Sequence, residues 1–252
     1  MIFITGDCHA DFTKFNTKRF PEQKEMTKDD IVIVCGDFGI WDDNTTERYW
    51  LKWLSDKPFT LCFVDGNHEN FDRLYSNEFP IVDFYGGKVH KIRENIFHLM
   101  RGNIYEFEGK KFFCFGGASS HDIADGILDM DDYKTVDEFV FTFRQWSKQG
   151  KMFRINHISW WEEELPNQSE MDLGLQNLIK CDNKVDYVIS HCLPQSVASI
   201  AEFCGGDILT EYFDKIIQNG LIFNQWYCGH YHREQTLLLK YNILYNKIER
   251  IL

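Results

Sequence analysis

Hydrophobic residues in this chain occur mainly in short unbroken runs, each followed by glycine or by a cluster of polar residues. The runs are about the length of a strand and are rich in β-branched and aromatic residues. They are MIFIT at 1–5, IVIVCG at 31–36, FTLCFVDG at 59–66, FFCFGG at 112–117, DYVIS at 186–190 and QWYCG at 225–229. Because hydrophobic and polar residues do not alternate within them, the pattern predicts strands that are buried on both faces.

Three segments between these runs have the residue spacing of amphipathic helices. Residues 45–56 begin with a threonine and residues 169–181 begin with a serine, and both residue types are suited to capping a helix N-terminus. Residues 206–220 end on a glycine, which is typical of a helix C-terminus. The second helix is predicted to keep its aliphatic side chains largely on one side: Leu173, Leu175, Leu178 and Ile179.

The middle of the chain has a different pattern. From about residue 81 to 115, short hydrophobic runs alternate with Gly-containing turns, which is typical of an antiparallel meander. The segment at about 119–167 interrupts the series of strands, and we interpret it as an insertion over one edge of the fold. The whole pattern predicts the α/β class, a layered sandwich with two mixed sheets and helices outside.

Composition and charge limit the possible classes of protein. The 252 residues contain neither a Pro-, Ser- or Gly-rich linker nor a repeat of fixed period, so we expect a single domain over 1–252. The formal net charge of -12 argues against a general nucleic-acid binder or a membrane-surface protein. It does not exclude a phosphorylated substrate, because bound divalent cations reverse the local field.

We expect the protein to be cytoplasmic. The chain begins MIFITGD without a basic leader or apolar signal core, and no run approaches the roughly 18 apolar residues of a membrane helix. The eight cysteines, at 8, 35, 62, 114, 181, 192, 204 and 228, form no C-x-x-C pair. They are therefore interpreted as reduced side chains, several of them buried.

Acidic, amide and imidazole side chains follow the predicted strands directly. They are Asp7 and His9, Asp37, Asn67 and His68, His191, and His230 and His232. The first three strand ends are separated by 30 residues each time, about one strand-crossover-strand unit, so their loops should meet at one edge of a sheet.

Taken singly, each of these residues has an ordinary interpretation. The stretch ITGDCHADF at 4–12 could be a simple turn, and His191 could be a buried histidine bonded to a carbonyl. As a set, the nitrogen and oxygen donors suit Mn, Fe, Zn, Ni or Mg better than a structural zinc site. There are too many donors for one tetrahedral ion, whereas two adjacent metals that share a carboxylate would use them all.

Five short blocks occur in this order: Gly6-Asp7-x-His9, Gly36-Asp37, Gly66-Asn67-His68-Glu69, a lone His191, and Gly229-His230-x-His232. In order and spacing they resemble the signature blocks of the calcineurin-like metallophosphoesterase superfamily. The resemblance implies a four-layer α/β/β/α sandwich with two divalent metals, manganese being the first expectation. It implies that Asp7, His9 and His232 hold one metal. Asn67, His191 and His230 would hold the other, with Asp37 bridging the two.

The resemblance also implies a reaction. A hydroxide that bridges the metals would attack the phosphorus of a phosphomonoester or phosphodiester directly, and His68, near the leaving-group oxygen, would supply its proton. Ile40, Trp41 and Asp65 stand where the protein Ser/Thr phosphatase branch has an acid and two arginines, so a small or nucleotide-like substrate is expected instead. The alternative is a non-catalytic, metal-stabilised interaction scaffold, but scaffolds tend to lose ligands and this set is complete.

Some residues near these blocks have two interpretations. Ser120, His121 and Asp122 could contact substrate or cap a loop. The basic residues of the insertion could steer an anion, but we favour an ordinary solvated face: Arg144, Lys148, Lys151 and Arg154. Trp160 and Trp161 could stack on a base or sugar, but we favour packing anchors. The cysteines beside the blocks are expected to be small packing residues: Cys8, Cys35, Cys192 and Cys228.

Overall fold

A computed structural model describes residues 1–203 and 205–252. Its helices are α1 (Thr45–Ser55), α2 (Phe71–Leu74), α3 (Val136–Lys148), α4 (Gln168–Lys180), α5 (Gln195–Ala198) and α6 (Ile208–Gln218). The first eight strands are β1 (Ile2–Thr5), β2 (Ile31–Cys35), β3 (Thr60–Val64), β4 (Ile81–Phe84), β5 (Gly87–Arg93), β6 (Ile96–Leu99), β7 (Asn103–Phe107) and β8 (Lys110–Phe115). The others are β9 (Gly126–Leu128), β10 (Phe153–Ile155), β11 (Tyr187–Ser190), β12 (Gln225–Cys228), β13 (Gln235–Leu237), β14 (Tyr241–Ile243) and β15 (Ile248–Arg250).

The strands form two large mixed sheets. The first has the order β15-β1-β2-β3-β6-β5-β4, and its central strands β1, β2, β3 and β6 are parallel. The second has the order β13-β14-β12-β11-β8-β7, with β14, β12, β11 and β8 parallel. In both sheets the carboxyl ends of the central strands therefore lie at one edge, where α/β folds place their ligands.

Three hydrophobic clusters show that the sheets pack face to face with helices outside. One cluster joins Ile4 and Ile33 of the first sheet to Phe112 and Ile189 of the second. A second cluster covers the outer face of the first sheet with α1 and α2, and a third covers the outer face of the second sheet with α4 and α6. The four-layer α/β/β/α sandwich is thus confirmed. Both faces of the central strands are covered, which explains their unbroken hydrophobic runs.

The six strands and three helices predicted from the sequence are present, but two helices begin earlier than predicted. Asn44, not the threonine after it, caps α1, and Asn167, not Ser169, caps α4 through a capping box with Glu170. The predicted apolar side of α4 is also partly wrong, because Leu173 and Ile179 are exposed while Leu178 is buried. Local spacing indicates a helix face but does not show how much of that face a neighbouring element covers.

The C-terminus of α6 is as predicted. Gly220 follows its last turn with a φ of 90°, a left-handed conformation that costs glycine little. Its N–H donates to the carbonyl of Ile217 at 3.0 Å.

The predicted meander at 81–115 is divided between the two sheets. Strands β4, β5 and β6 are antiparallel in the first sheet, whereas β7 and β8 form an antiparallel pair in the second. The chain crosses from one sheet to the other between Leu99 and Asn103. Turn signals and strand lengths are the same for both arrangements, so only packing distinguishes them.

The segment at 119–167 has secondary structure of its own. It contains the parallel pair β9 and β10 and the helix α3, between β8 and α4. Its interpretation as an insertion within a single domain stays a prediction. Trp161 is fully buried and donates its indole N–H to Asp72 at 2.8 Å, which confirms it as a packing anchor.

The described cysteines are free, and six of the seven are buried. Cys204, whose state was also predicted, lies outside the described residues. In the part of the chain that the structure describes, every helix is too short or too polar to span a bilayer.

Candidate metal centre

The predicted strand-end residues lie together where the two sheets meet. Asp7, Asp37 and Asn67 follow β1, β2 and β3 of the first sheet, while His191 and His230 follow β11 and β12 of the second. The backbone joins the two halves directly, because the N–H of His230 donates to Asp7 Oδ1 at 2.9 Å. One edge of the sandwich thus carries residues from both ends of the chain.

Four side chains form a group that could hold a metal ion. Asp7, His9, Asp37 and His232 each place a ligand atom within 4.8 Å of the others. The Nε2 atoms of His9 and His232 lie 3.0 Å apart, and His232 Nε2 is 3.1 Å from Asp7 Oδ2. Two ring nitrogens and a carboxylate oxygen that converge on one point are typical of a cation site.

A second group lies on the other side of Asp37. His191 is fully buried and donates Nδ1–H to the carbonyl of Cys35 at 2.7 Å, so Nε2 is the nitrogen that offers a lone pair once the ring is neutral. This Nε2 is 3.3 Å from Asp37 Oδ1, and the rings of His191 and His230 are 4.9 Å apart. Among the described residues, neither His191 Nε2 nor the buried Oδ1 of Asn67 has a hydrogen-bond partner.

These two orphaned atoms are the test of whether the second group fits a metal. A buried polar atom without a partner costs free energy, so such atoms are rare unless a ligand satisfies them. Amide oxygen and imidazole nitrogen are both ordinary metal ligands, and His191 Nε2 lies 3.3 Å from Asp37 Oδ1. The donor set therefore fits a divalent cation.

The backbone at these positions is strained. Asp37, His9, His230 and His232 have φ angles of 47°, 48°, 68° and 49°, in the left-handed region that non-glycine residues seldom occupy. Such conformations persist only where the surrounding structure enforces them, and they concentrate at functional sites.

Buried polar contacts enforce these loops. The carboxylate of Glu69 accepts hydrogen bonds from the backbone N–H groups of Phe38, Gly39 and Ile40 at 2.6, 3.0 and 3.0 Å. The N–H of His68 donates to Asp37 Oδ1 at 2.8 Å. The acid of the Gly-Asn-His-Glu block thus holds the loop that carries Asp37, which explains its place in the motif.

Glycines in the blocks leave space for the carboxylates of Asp37 and Asp7. A Cβ added at Gly66 would lie 2.0 Å from Asp37 Oδ1, and one added at Gly229 would lie 1.9 Å from Asp7 Oδ1. Any side chain at either position would displace a carboxylate of the candidate metal centre.

We therefore expect Gly66→Ala to lower metal content and to destabilise the protein by about 1–3 kcal/mol through overpacking. Gly150→Ala is the matched control, since an added Cβ there contacts nothing within 4 Å and only its φ of 68° opposes alanine. Elemental analysis of metal content and chemical unfolding provide the measurements. Full metal content in Gly66→Ala would show that the carboxylate can move without loss of the site.

Charges within the site shift several pKa values. Burial disfavours the charged forms of Asp7 and Asp37, yet histidine neighbours hold both pKa values below their usual range. Burial also opposes the charge on His191, but Asp37 and Asp7 outweigh it and raise the pKa of His191 to about 10. Since a metal ligand must be an unprotonated imidazole, binding of a cation at His191 should release a proton.

The other imidazoles are shifted in the opposite direction. Burial lowers the pKa of His230 to about 3. The pKa of His68 is also lowered, by burial and by the positive charge of Arg154, against the opposing effect of Asp37. His230 is thus a neutral donor at physiological pH, as metal ligation requires.

Three residues of the segment 119–167 also reach the centre, although none of them is among the site residues predicted from the sequence. His121 Nε2 lies 2.6 Å from His230 Nε2, and Ser120 Oγ accepts from Asn67 Nδ2 at 3.4 Å. Arg154 is buried and donates to His68, so its interpretation as part of a solvated face is wrong, whereas Arg144 and Lys148 are exposed as expected. The only sequence signal was the strand-like run before Ser120.

The cysteines beside the blocks are packing residues, as predicted. Cys8, Cys35, Cys192 and Cys228 are buried. Burial raises the pKa of each thiol, to about 12 for Cys8.

Comparison with known proteins agrees with this geometry. The model of the calcineurin-like phosphoesterase family matches residues 1–234. Lariat debranching enzyme A of Xenopus laevis is 27% identical over 149 residues, which cover 52% of this chain and 26% of that protein. The similarity thus spans about a quarter of the length of that relative.

Proposed function

The chain belongs to the calcineurin-like phosphoesterase family, and from this premise we propose that it hydrolyses a phosphomonoester or phosphodiester with two divalent metal ions. Asp7, His9 and His232 would hold one ion, and Asn67, His191 and His230 the other. Asp37 would contact both.

One observation carries this proposal: candidate ligand atoms lie close together in two groups, each of which includes or adjoins Asp37. Asn67 Oδ1 and His191 Nε2 are buried without partners among the described residues, and the ring nitrogens of His9 and His232 meet at 3.0 Å. A single cation would satisfy one of these groups, and a second cation is needed for the other. The nitrogen and oxygen donors favour Mn, with Fe, Zn, Ni and Mg as alternatives.

The side chains of this protein then have distinct roles in the reaction. When bound, two divalent ions activate a water molecule and neutralise the phosphoryl oxygens. Asp37, held by the N–H of His68, would align the two halves of the centre. His68, with its ring 5.1 Å from that of His9, would lie beside the leaving-group oxygen and, in its protonated form, supply its proton. Because burial and Arg154 lower the pKa of His68 in the free protein, this role requires that the bound phosphoryl group favours the protonated form.

A cavity beside the centre supports a small or nucleotide-like substrate. Its volume is about 500 Å³, and Ser120, which bonds to Asn67, forms part of its wall. Tyr75 and Trp160 offer aromatic surface for a ring, whereas Glu162 and Glu163 would repel additional phosphates. The substrate would therefore carry a neutral or cationic organic group rather than a long polyanion.

The free, buried thiols of the described cysteines support a cytoplasmic location. We prefer catalysis to a scaffold role because all seven candidate ligands and His68 are present.

The test is a panel of substrates with the Mn²⁺-loaded protein. We expect turnover of p-nitrophenyl phosphate, of its bis ester, or of both, and faster turnover of at least one nucleotide or cyclic nucleotide. Failure on the whole panel with each of the five metals would contradict the proposed hydrolysis and favour the scaffold.

A further inference from the structure

Arg154 is the one buried cation that the segment 119–167 directs at the candidate centre, within the part of the chain that the structure describes. Its side chain is 9% exposed, and its Nη2 donates to His68 Nε2 at 3.2 Å. His68 and Arg154 are 86 residues apart in the sequence, so this contact depends on the path of the segment.

The guanidinium is also fixed by contacts of Nε and Nη1. Its Nε donates to Asp122 Oδ1 at 2.6 Å, and its Nη1 donates to the carbonyl of Ser159 at 3.0 Å. Glu164 Oε1 lies 3.7 Å from Nη1. Arginine has five N–H donors in a rigid fork. Nη2 carries two of them, and the second has no hydrogen-bond partner among the described residues.

This arrangement is unusual for a structural arginine. The guanidinium is held by a carboxylate at Nε and a carbonyl at Nη1, and its remaining N–H is on Nη2, the nitrogen that contacts His68. Arginine in such a fixed position is suited to phosphoryl oxygens, because its fork matches their geometry.

We propose that Arg154 is a substrate-binding residue that donates from Nη2 to a non-bridging oxygen of the phosphoryl group. This inference rests on the proposed function, since it places the phosphoryl group between the metals and His68. It gives the segment 119–167 a role in binding the substrate. Asp122, as the acceptor from Nε, is then a positioning residue.

A monoester should depend on Arg154 more than a diester does. The dianionic phosphoryl group of a monoester has one more charged oxygen than a diester, and that oxygen can accept the guanidinium N–H. Loss of Arg154 should therefore raise KM more for p-nitrophenyl phosphate than for its bis ester.

The test measures the affinity of the Mn²⁺-loaded protein for inorganic phosphate by calorimetric titration, with metal content determined in parallel. We expect Arg154→Met to weaken phosphate binding about 10- to 100-fold, as for loss of a charge-assisted hydrogen bond. Asp122→Asn should weaken it less, and metal content should not change, because Arg154 contacts none of the candidate ligands. Arg144→Met, on the exposed face of α3, is the matched control and should bind phosphate like the unaltered protein.

Each result has a distinct meaning. Equal phosphate affinity in the unaltered protein and Arg154→Met, or absence of phosphate binding in both, would overturn the role of Arg154. The titration needs no turnover. If the protein lacks hydrolytic activity but its phosphate binding depends on Arg154, only the proposed function is contradicted and the role of Arg154 in binding stands. If Arg154→Met does not fold, Arg154→Gln keeps hydrogen-bonding capacity toward Asp122 and is judged by the same criteria.

Discussion

Chelation of divalent metals will abolish phosphoester hydrolysis by this protein, and Mn²⁺ will restore it with two ions bound per chain. The physical reason is that the proposed nucleophile is a water molecule, which needs a bound divalent cation to become reactive at neutral pH. Two carboxylates, Asp7 and Asp37, also face the position where an anionic phosphoryl group must bind, so the protein alone would repel its substrate.

The measurement is elemental analysis combined with rates on p-nitrophenyl phosphate and its bis ester, before and after chelation. Asp37→Asn should resist rescue, because a neutral amide cannot hold two cations as a shared carboxylate does. Asp72→Asn is its control, since Asp72 lies outside the candidate ligands and accepts from Trp161 and His157. Saturation at one ion per chain, with full activity, would exclude the two-metal arrangement.

His68→Ala will lower kcat by about 10²- to 10⁴-fold, the usual contribution of general acid catalysis. Both metals should stay bound in this variant. The ring of His68 is not one of the orphaned donors, and it is the backbone N–H of His68 that bonds to Asp37. Alanine keeps that backbone N–H, so the candidate ligands should stay in place.

Rates on substrates with good and poor leaving groups make this experiment sharper. If His68 protonates the leaving group, the loss in His68→Ala should be greater for alkyl phosphates than for p-nitrophenyl phosphate, whose leaving group needs little assistance. His157→Ala, which removes an exposed histidine of the segment 119–167, is the matched control. A fall of metal content by half in His68→Ala would show that His68 is a ligand and that its assigned role is wrong.

Much of the fold and the candidate ligand set could be predicted because the signals are local. A buried parallel strand needs an unbroken run of apolar residues, and the residue after it lies at the carboxyl edge of the sheet whatever the rest of the chain does. Asp7, Asp37 and Asn67 follow directly from this rule. The glycines beside them are explained by the close approach of a carboxylate, as at Gly66 and Gly229.

Helix caps and exposed faces were less predictable. Asn44 and Asn167 precede residues that are equally able to cap a helix, and the choice depends on where the chain turns into the helix. The division of the segment 81–115 between two sheets depends on which sheet buries each strand. In each case, alternative arrangements have the same local sequence pattern, and the difference in their packing free energy decides which one forms.

The sequence by itself therefore determined the class of the fold, the loops that follow the central strands, and the candidate ligands in those loops. Each of these depends on hydrophobic runs and on the residues that end them. Only the tertiary structure decided that Arg154 faces His68 and that His121 meets His230, at separations of 86 and 109 residues. Such contacts depend on the path of the segment 119–167 over the sandwich. No local periodicity encodes that path, because it results from the burial of residues such as Trp161 against distant partners.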